Sequence, residues 1–167
     1  MINNLIRGIA SFIILVLLQV WVLNNIYLFR IASPLLYVYF ILKLPLGISR
    51  CYIIFFSFLI GLVIDMFSNT PGMHAAACTF IGFLREPVLR FCVNRDLESL
   101  STPSYSLFGL GGFFRYALIL IAVHHILLYV LEAATFVSPL LLTVRVIVGI
   151  ALTLFLVCTV ELFEHKR

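Results

Sequence analysis

Six ionisable side chains lie inside or at the edges of the long apolar stretches of this chain: Asp65, His74, His124, His125, Glu132 and Arg145. Such groups are costly in hydrocarbon, so each is a candidate for proton transfer, ion pairing or recognition of a partner. Asp65 and His74 stand on either side of a turn-forming run over 68–72. This spacing predicts that both lie near one membrane surface, on two helices joined by a tight turn.

Glu132 and Arg145 are predicted to reach the same surface from another pair of helices. Arg145 follows Ser138 by seven positions, which is roughly 10 Å of helix, so its guanidinium extends to the surface or to a carboxylate. Two readings follow for Asp65, His74, Glu132 and Arg145. They form a mutual ion-pair network, or each is separately wetted at the interface.

The adjacent histidines, His124 and His125, point about 100° apart on a helix and therefore do not converge on one metal ion. Their expected role is hydrogen bonding between helices. The four cysteines lack the spacing of a metal site or a disulfide framework. No hydrolase motif and no phosphate-binding glycine loop is present in the sequence. The sequence thus predicts a protein that is not an enzyme and has no metal or cofactor.

Membrane helices must position these groups, because 63% of the residues are hydrophobic and only 11% are charged. The mean hydropathy of +1.19 exceeds what a water-soluble domain carries. A helix of about 20 residues crosses a hydrocarbon core of about 30 Å. The chain offers six apolar stretches near that length, at 7–27, 31–48, 51–67, 71–92, 114–134 and 138–162. The predicted fold is one compact bundle of six transmembrane helices, with a loop over 93–112.

Two places in the predicted fold need closer description, the second apolar stretch and the turn after the third. The second stretch contains Lys43 and is followed by Pro45, so it crosses the membrane only if Lys43 extends its ammonium to the nearer headgroups. At the third turn, Thr70 is the expected helix cap and Pro71 the first helical residue. Gly72 is expected to permit close approach of the preceding loop. This corner is therefore predicted to be rigid and suited to docking a partner.

Charge is distributed unevenly over the predicted spans. Nine of the eleven basic residues fall on one side: Arg7, Lys43, Arg50, Arg85, Arg90, Arg95, Arg115, Lys166 and Arg167. Arg30 alone falls on the other side, and Arg145 lies within the last span. The positive-inside rule then predicts that both termini are cytoplasmic. If the second stretch did not cross, the termini would face opposite sides.

The run GLVIDMFSNTPGMHAAA at 61–77, continued by FLREP at 83–87, resembles the MreD family of rod shape-determining membrane proteins, in its Bacteroidetes-type form. Members show a span that ends in a Gly-to-Asp pattern, then a short polar turn in which Pro or Gly opens the next helix. The resemblance covers about 30 residues. Chain length, six spans and cytoplasmic termini agree with it.

The resemblance implies a multi-pass protein of the bacterial inner membrane that acts as a scaffold or regulatory subunit of the cell-elongation machinery. Such a protein supports lateral peptidoglycan synthesis and cell shape. Its expected partner is an MreC-like bitopic membrane protein. Through that partner it meets actin-like MreB, a RodA-type glycosyltransferase and a class B penicillin-binding protein. The residues expected to be structural or to contact a partner are Asp65, Pro71, Gly72, His74, Glu132 and Arg145.

A second function stays open, because the MreD family resembles in fold the substrate-binding subunits of energy-coupling-factor transporters. A vitamin-binding subunit would need a pocket lined by Asp65, Glu132 and Arg145. It would also need a patch of small residues on the first helix to grip a coupling subunit. Small residues occur only at the start of that helix and are followed by bulky ones over 12–18. The scaffold is therefore the favoured reading.

Overall fold

The computed structural model describes residues 2–25, 33–92, 102–132 and 139–165. The described elements are all helical: α1 Ile2–Trp21, a 3-10 turn Leu23–Asn25, α2 Val38–Leu42, α3 Arg50–Ser68, α4 Met73–Cys92, α5 Tyr105–Glu132 and α6 Pro139–His165. Four ranges have the length and composition to cross a membrane: Gly8–Asn25, Arg50–Ser68, Tyr105–Glu132 and Leu140–Glu164. The predicted class, a helical protein with several membrane spans, agrees with this architecture. The fourth helix, α4, has spanning length but is more polar towards its C-terminus.

Side-chain contacts define the direction of each helix. The α3–α6 helices follow one another as antiparallel neighbours, with Cys78 of α4 beside His124 of α5. Asn24, just after α1, donates to Ser68 at the end of α3 over 3.1 Å, so α1 and α3 end at the same level. We call this the Asp65 end of the bundle. The opposite end, where α3 begins and α4 ends, is the arginine-rich end and carries Arg50 and Arg90.

The expectation of a membrane helix over 31–48 is wrong for the described residues. Only the five residues of α2 are helical there, and we call residues 33–46 the central segment. Its side chains from Leu35 to Leu42 are at most 7% exposed. The central segment lies antiparallel to α1, since Leu36 contacts Gln19 and Phe40 stacks edge-on against Phe12 at 5.3 Å. It returns the chain to the arginine-rich end through the interior of the bundle.

The fifth helix also differs from the expectation, which placed its start at residue 114 after a loop over 93–112. Residues 105–112 are part of α5, and residues 93–101 lie outside the described part of the chain. Gly109 interrupts the helix with φ 71° and ψ 165°, values that favour glycine. The first turn of α5 therefore takes a different direction from the long part. The ring of Tyr105 in that turn packs against Phe113 at 4.8 Å.

The α3 and α4 helices pack closely, which brings the residues on either side of the turn between them together. A Cβ atom on Gly61 would lie 2.6 Å from the Cα of Ala75, and one on Gly82 would lie 2.8 Å from the Cβ of Ser57. Small residues permit such approach between membrane helices, where packing and hydrogen bonds replace the hydrophobic drive. These two glycines set the distance between the helices that carry Asp65 and His74.

Candidate functional site: the polar core around the central segment

Asp65 caps the start of α4 from the end of α3. Its carboxylate accepts hydrogen bonds from the backbone N–H groups of His74 at 3.0 Å and Ala75 at 2.8 Å. The hydroxyl of Thr70 donates to it as well, at 2.9 Å. The first N–H groups of a helix have no partner within the helix, and negative charge is favourable there. Asp65 is 4% exposed, so of the two readings the separately wetted side chain does not apply to it.

The turn residues act differently from the expectation. Since α4 begins at Met73, Pro71 precedes the helix and is not its first residue. Thr70 contributes by donating to Asp65 and is not itself the side-chain cap. Gly72 adopts φ +84°, and nothing lies within 4 Å of the place where its Cβ would be. Gly72 is therefore needed for the left-handed backbone conformation, whereas the close approach between α3 and α4 occurs at Gly61.

Glu132 and Arg145 form an ion pair between α5 and α6, with 3.5 Å between Oε1 and Nη1. Their side chains are 43% and 27% exposed. The carboxylate of Asp65 instead bonds to the start of α4. The expected polar group of Asp65, Glu132 and Arg145 is thus divided into a buried helix cap and a half-exposed ion pair.

His74 and His124 meet at the hydroxyl of Tyr37, which belongs to the central segment. The Tyr37 oxygen lies 2.6 Å from Nδ1 of His74 and 3.1 Å from Nε2 of His124. The thiol sulfur of Cys78 lies 3.7 Å from the same Nε2 atom. The three residues Tyr37, His124 and Cys78 have no exposed surface. His124 of α5 thus contacts Tyr37 of the central segment, which is not helical at that residue, and Cys78 of α4.

His125 joins α5 to α6 and to the backbone of the central segment. Its Nδ1 atom is 2.9 Å from the carbonyl of Ile121, which can only accept, so the proton is assigned to Nδ1. Its Nε2 atom then accepts from the hydroxyl of Thr153 at 3.2 Å. The Thr153 oxygen in turn accepts the N–H of Leu35 at 3.0 Å. The ring of His125 is therefore held between the backbone of its own helix and Thr153 of α6.

Gln19 of α1 hydrogen-bonds to the non-helical backbone of the central segment that precedes α2. Its amide donates to the carbonyl of Pro34 at 3.0 Å and accepts the N–H of Leu36 at 2.9 Å. Both Gln19 and Thr153 are fully buried. Non-helical backbone at membrane depth must be satisfied inside the protein, and these two side chains meet that need. Neither residue was predicted from the sequence, although each is an uncharged polar residue within an apolar run.

At the arginine-rich end, two side chains donate to carbonyl groups at the end of α2 and two residues beyond it. The hydroxyl of Tyr116 donates to the carbonyl of Leu42 at 3.1 Å, and Nη2 of Arg85 donates to the carbonyl of Leu44. Arg85 is 1% exposed, whereas the charge count treats it as an interfacial cation. A cation and a hydroxyl thus satisfy carbonyls that the end of a short helix leaves without partners.

Lys43, which the sequence predicts to extend towards headgroups if the second stretch crosses the membrane, is paired with two carboxylates of α6. Its ammonium is 3.1 Å from the carboxylate of Glu161 and 2.9 Å from that of Glu164, both on α6. The hydroxyl of Tyr39 donates to Glu161 at 2.7 Å. The backbone N–H of Tyr105 also reaches Glu161, at 3.3 Å. This cluster fixes the second half of the central segment to α6 and to the start of α5.

Within the described ranges, no group of three or more His, Cys, Asp or Glu side chains could hold a metal ion. The polar side chains converge on the backbone and on Tyr37 of the central segment. Their arrangement holds the central segment in place and links α1, α4, α5 and α6 to it. Searches against family models, curated proteins and solved structures found no match for this chain.

Proposed function

We propose that this chain is a non-enzymatic scaffold or regulatory subunit of the bacterial cell-elongation machinery, similar to the MreD family, that binds an MreC-like bitopic protein. The proposal rests on the way that the residues of the run over 61–77, which resembles the MreD family, pack together. Gly61 packs on Ala75, and the carboxylate of Asp65 caps α4. The residues of the resemblance therefore build one rigid corner, which offers a partner a fixed surface.

The proposed membrane orientation places the arginine-rich end in the cytoplasm. Arg50, Arg90 and Arg115 are exposed there, while Arg145 lies towards the opposite end. This asymmetry supports cytoplasmic termini by the positive-inside rule. The central segment supports the count of six crossings, because it joins the end of α1 to the start of α3 at opposite ends of the bundle. The membrane would be the inner membrane.

A transporter subunit is the competing function, and the geometry favours it less. Its pocket would need the carboxylate of Asp65 to be free for a ligand. That carboxylate accepts three hydrogen bonds from its own corner. The interior of the bundle is occupied by the central segment, whose Tyr37 and Ile41 have no exposed surface. Both features support a protein that works through its surfaces.

The proposal is tested by purifying the tagged full chain from native membranes in mild detergent and quantifying co-purified proteins by mass spectrometry. A multi-pass protein of the same membrane with the same tag is the control. Specific enrichment of an MreC-like bitopic protein is the expected result. Enrichment of a pair of ATPases would instead identify a transporter subunit. Enrichment of neither would overturn the scaffold proposal.

A further inference from the structure

Two exposed arginines flank one carboxylate at the arginine-rich end. Nε of Arg50 donates to Oε2 of Glu86, and Nη2 of Arg90 lies 2.7 Å from Oε1 of the same residue. The side chains of Arg50 and Arg90 are 64% and 71% exposed. A guanidinium group has five N–H donors, so most donors of both residues have no acceptor among the described residues. The three side chains carry a net charge of +1.

The length of α3 predicts that this patch lies at the depth of lipid headgroups. The α3 helix has 19 residues, or roughly 28 Å, which matches the hydrocarbon core and puts Arg50 at its boundary. On α4, Phe83 precedes Arg90 by seven positions, so it lies about two turns below on the same face. Phe83 is 61% exposed, and Phe91 beside Arg90 is 81% exposed. The cations thus stand directly above apolar surface.

We propose that Arg50 and Arg90 bind the headgroup phosphate of an anionic phospholipid, whose acyl chains lie along Phe83. Guanidinium groups match phosphate with paired, charge-assisted hydrogen bonds. Glu86 occupies one donor of each guanidinium group and neutralises only one of the two charges. The apolar surface of Phe83 favours a lipid over free phosphate. This site stands independently of the proposed scaffold function.

The test uses the purified full chain in detergent micelles and native mass spectrometry. The probes are phosphatidylglycerol, cardiolipin and zwitterionic phosphatidylcholine. We expect both anionic lipids to bind more tightly than phosphatidylcholine. The double variant Arg50→Gln with Arg90→Gln should bind phosphatidylglycerol about tenfold more weakly, as expected for the loss of charge-assisted hydrogen bonds. Equal binding of the three lipids by the unmodified protein would overturn the site.

Arg115→Gln is the matched control, because it removes one exposed cation at the same end. The Arg115 side chain donates to the carbonyl of Gly111 in its own helix. Arg115→Gln should leave lipid affinity nearly unchanged; a loss as large as that of the double variant would show general attraction to charge and overturn the site. Inorganic phosphate should not displace phosphatidylglycerol, and displacement at equal concentration would show a free-phosphate site instead.

Glu86→Gln provides a second, opposite measurement that does not depend on the folding of the double variant. It removes the acceptor that competes with lipid phosphate for both arginines. Affinity for phosphatidylglycerol should therefore rise, while affinity for phosphatidylcholine stays the same. A fall in affinity for phosphatidylglycerol would mean that the arginines serve only their ion pairs with Glu86, and the proposal would fail. Circular dichroism of each variant confirms helical content.

Discussion

Asp65 stabilises the start of α4 through three hydrogen bonds to a buried carboxylate, so its removal is expected to be severe. Asp65→Ala leaves the N–H groups of His74 and Ala75 without acceptors. The free energy of unfolding should fall by about 3 kcal/mol or more. Thr70→Val removes a single donor and should cost about 1 kcal/mol. SDS-induced unfolding in mixed micelles measures both values. Equal, small losses would contradict the capping role.

The ion pair of Glu132 and Arg145 is expected to contribute little, because both side chains are partly exposed. A double-mutant cycle of Glu132→Gln and Arg145→Ala should give a coupling energy of about 0 to 1 kcal/mol. The same cycle between Asp65→Asn and Arg145→Ala should be additive, since these residues bond to different groups. A coupling energy above about 3 kcal/mol in the first cycle would indicate a dehydrated pair.

At the scale of elements, the central segment depends on polar side chains from α1 and α6. Gln19→Leu and Thr153→Val each leave buried backbone groups of that segment unsatisfied, at a cost of about 1 to 3 kcal/mol. Thr159→Val is the control on the same helix, since among the described residues its hydroxyl bonds only to the carbonyl of Phe155 four residues earlier. The control should remain within about 0.5 kcal/mol of the unmodified protein. If Thr159→Val lost as much stability as Thr153→Val, the proposed role of Thr153 in holding the central segment would be refuted.

The contact between α3 and α4 should be intolerant of added volume. Gly61→Ala places a methyl group against the backbone of His74 and Ala75, and overpacking of this kind costs about 1 to 3 kcal/mol. Gly111→Ala is the matched control, because open space surrounds its Cβ position in α5. It should leave stability unchanged or raise it by up to about 1 kcal/mol through helix propensity. Thermal unfolding in detergent compares the two. A neutral Gly61→Ala would contradict the close approach.

For the whole molecule, the proposed topology predicts opposite exposure of the two ends of α3. Cys51 is exposed at the arginine-rich end, and Pro71 is exposed at the Asp65 end. In spheroplasts, a membrane-impermeant maleimide should label Pro71→Cys at once, but Cys51 only after permeabilisation. A reporter fused after Arg167 should be active only if it is of the cytoplasmic type. Labelling of Cys51 from outside would reverse the orientation.

Short-range patterns in the sequence were enough to predict the helical membrane class and a helix–turn–helix corner over 65–74. Lipid accepts only apolar surface and internally satisfied backbone, so long apolar runs must appear in any arrangement of such helices. Turn residues act locally as well, which is why the junction of α3 and α4 lies where Pro71 and Gly72 occur. The start of α5 was less predictable, because the helix continues on both sides of the break at Gly109, where the sequence suggests a loop.

Only the tertiary structure decided what the second apolar stretch does. Residues 35–42 have the same apolar character whether they face lipid or protein, so the sequence could not distinguish a spanning helix from a buried segment that contains only one short helix. The partners of Lys43 and Asp65 were hidden for a related reason. Glu161 lies 118 residues from Lys43 in sequence, and Asp65 bonds to backbone amides that every residue type carries. Contacts to distant residues and to backbone leave no pattern in residue types, and only folding brings them together.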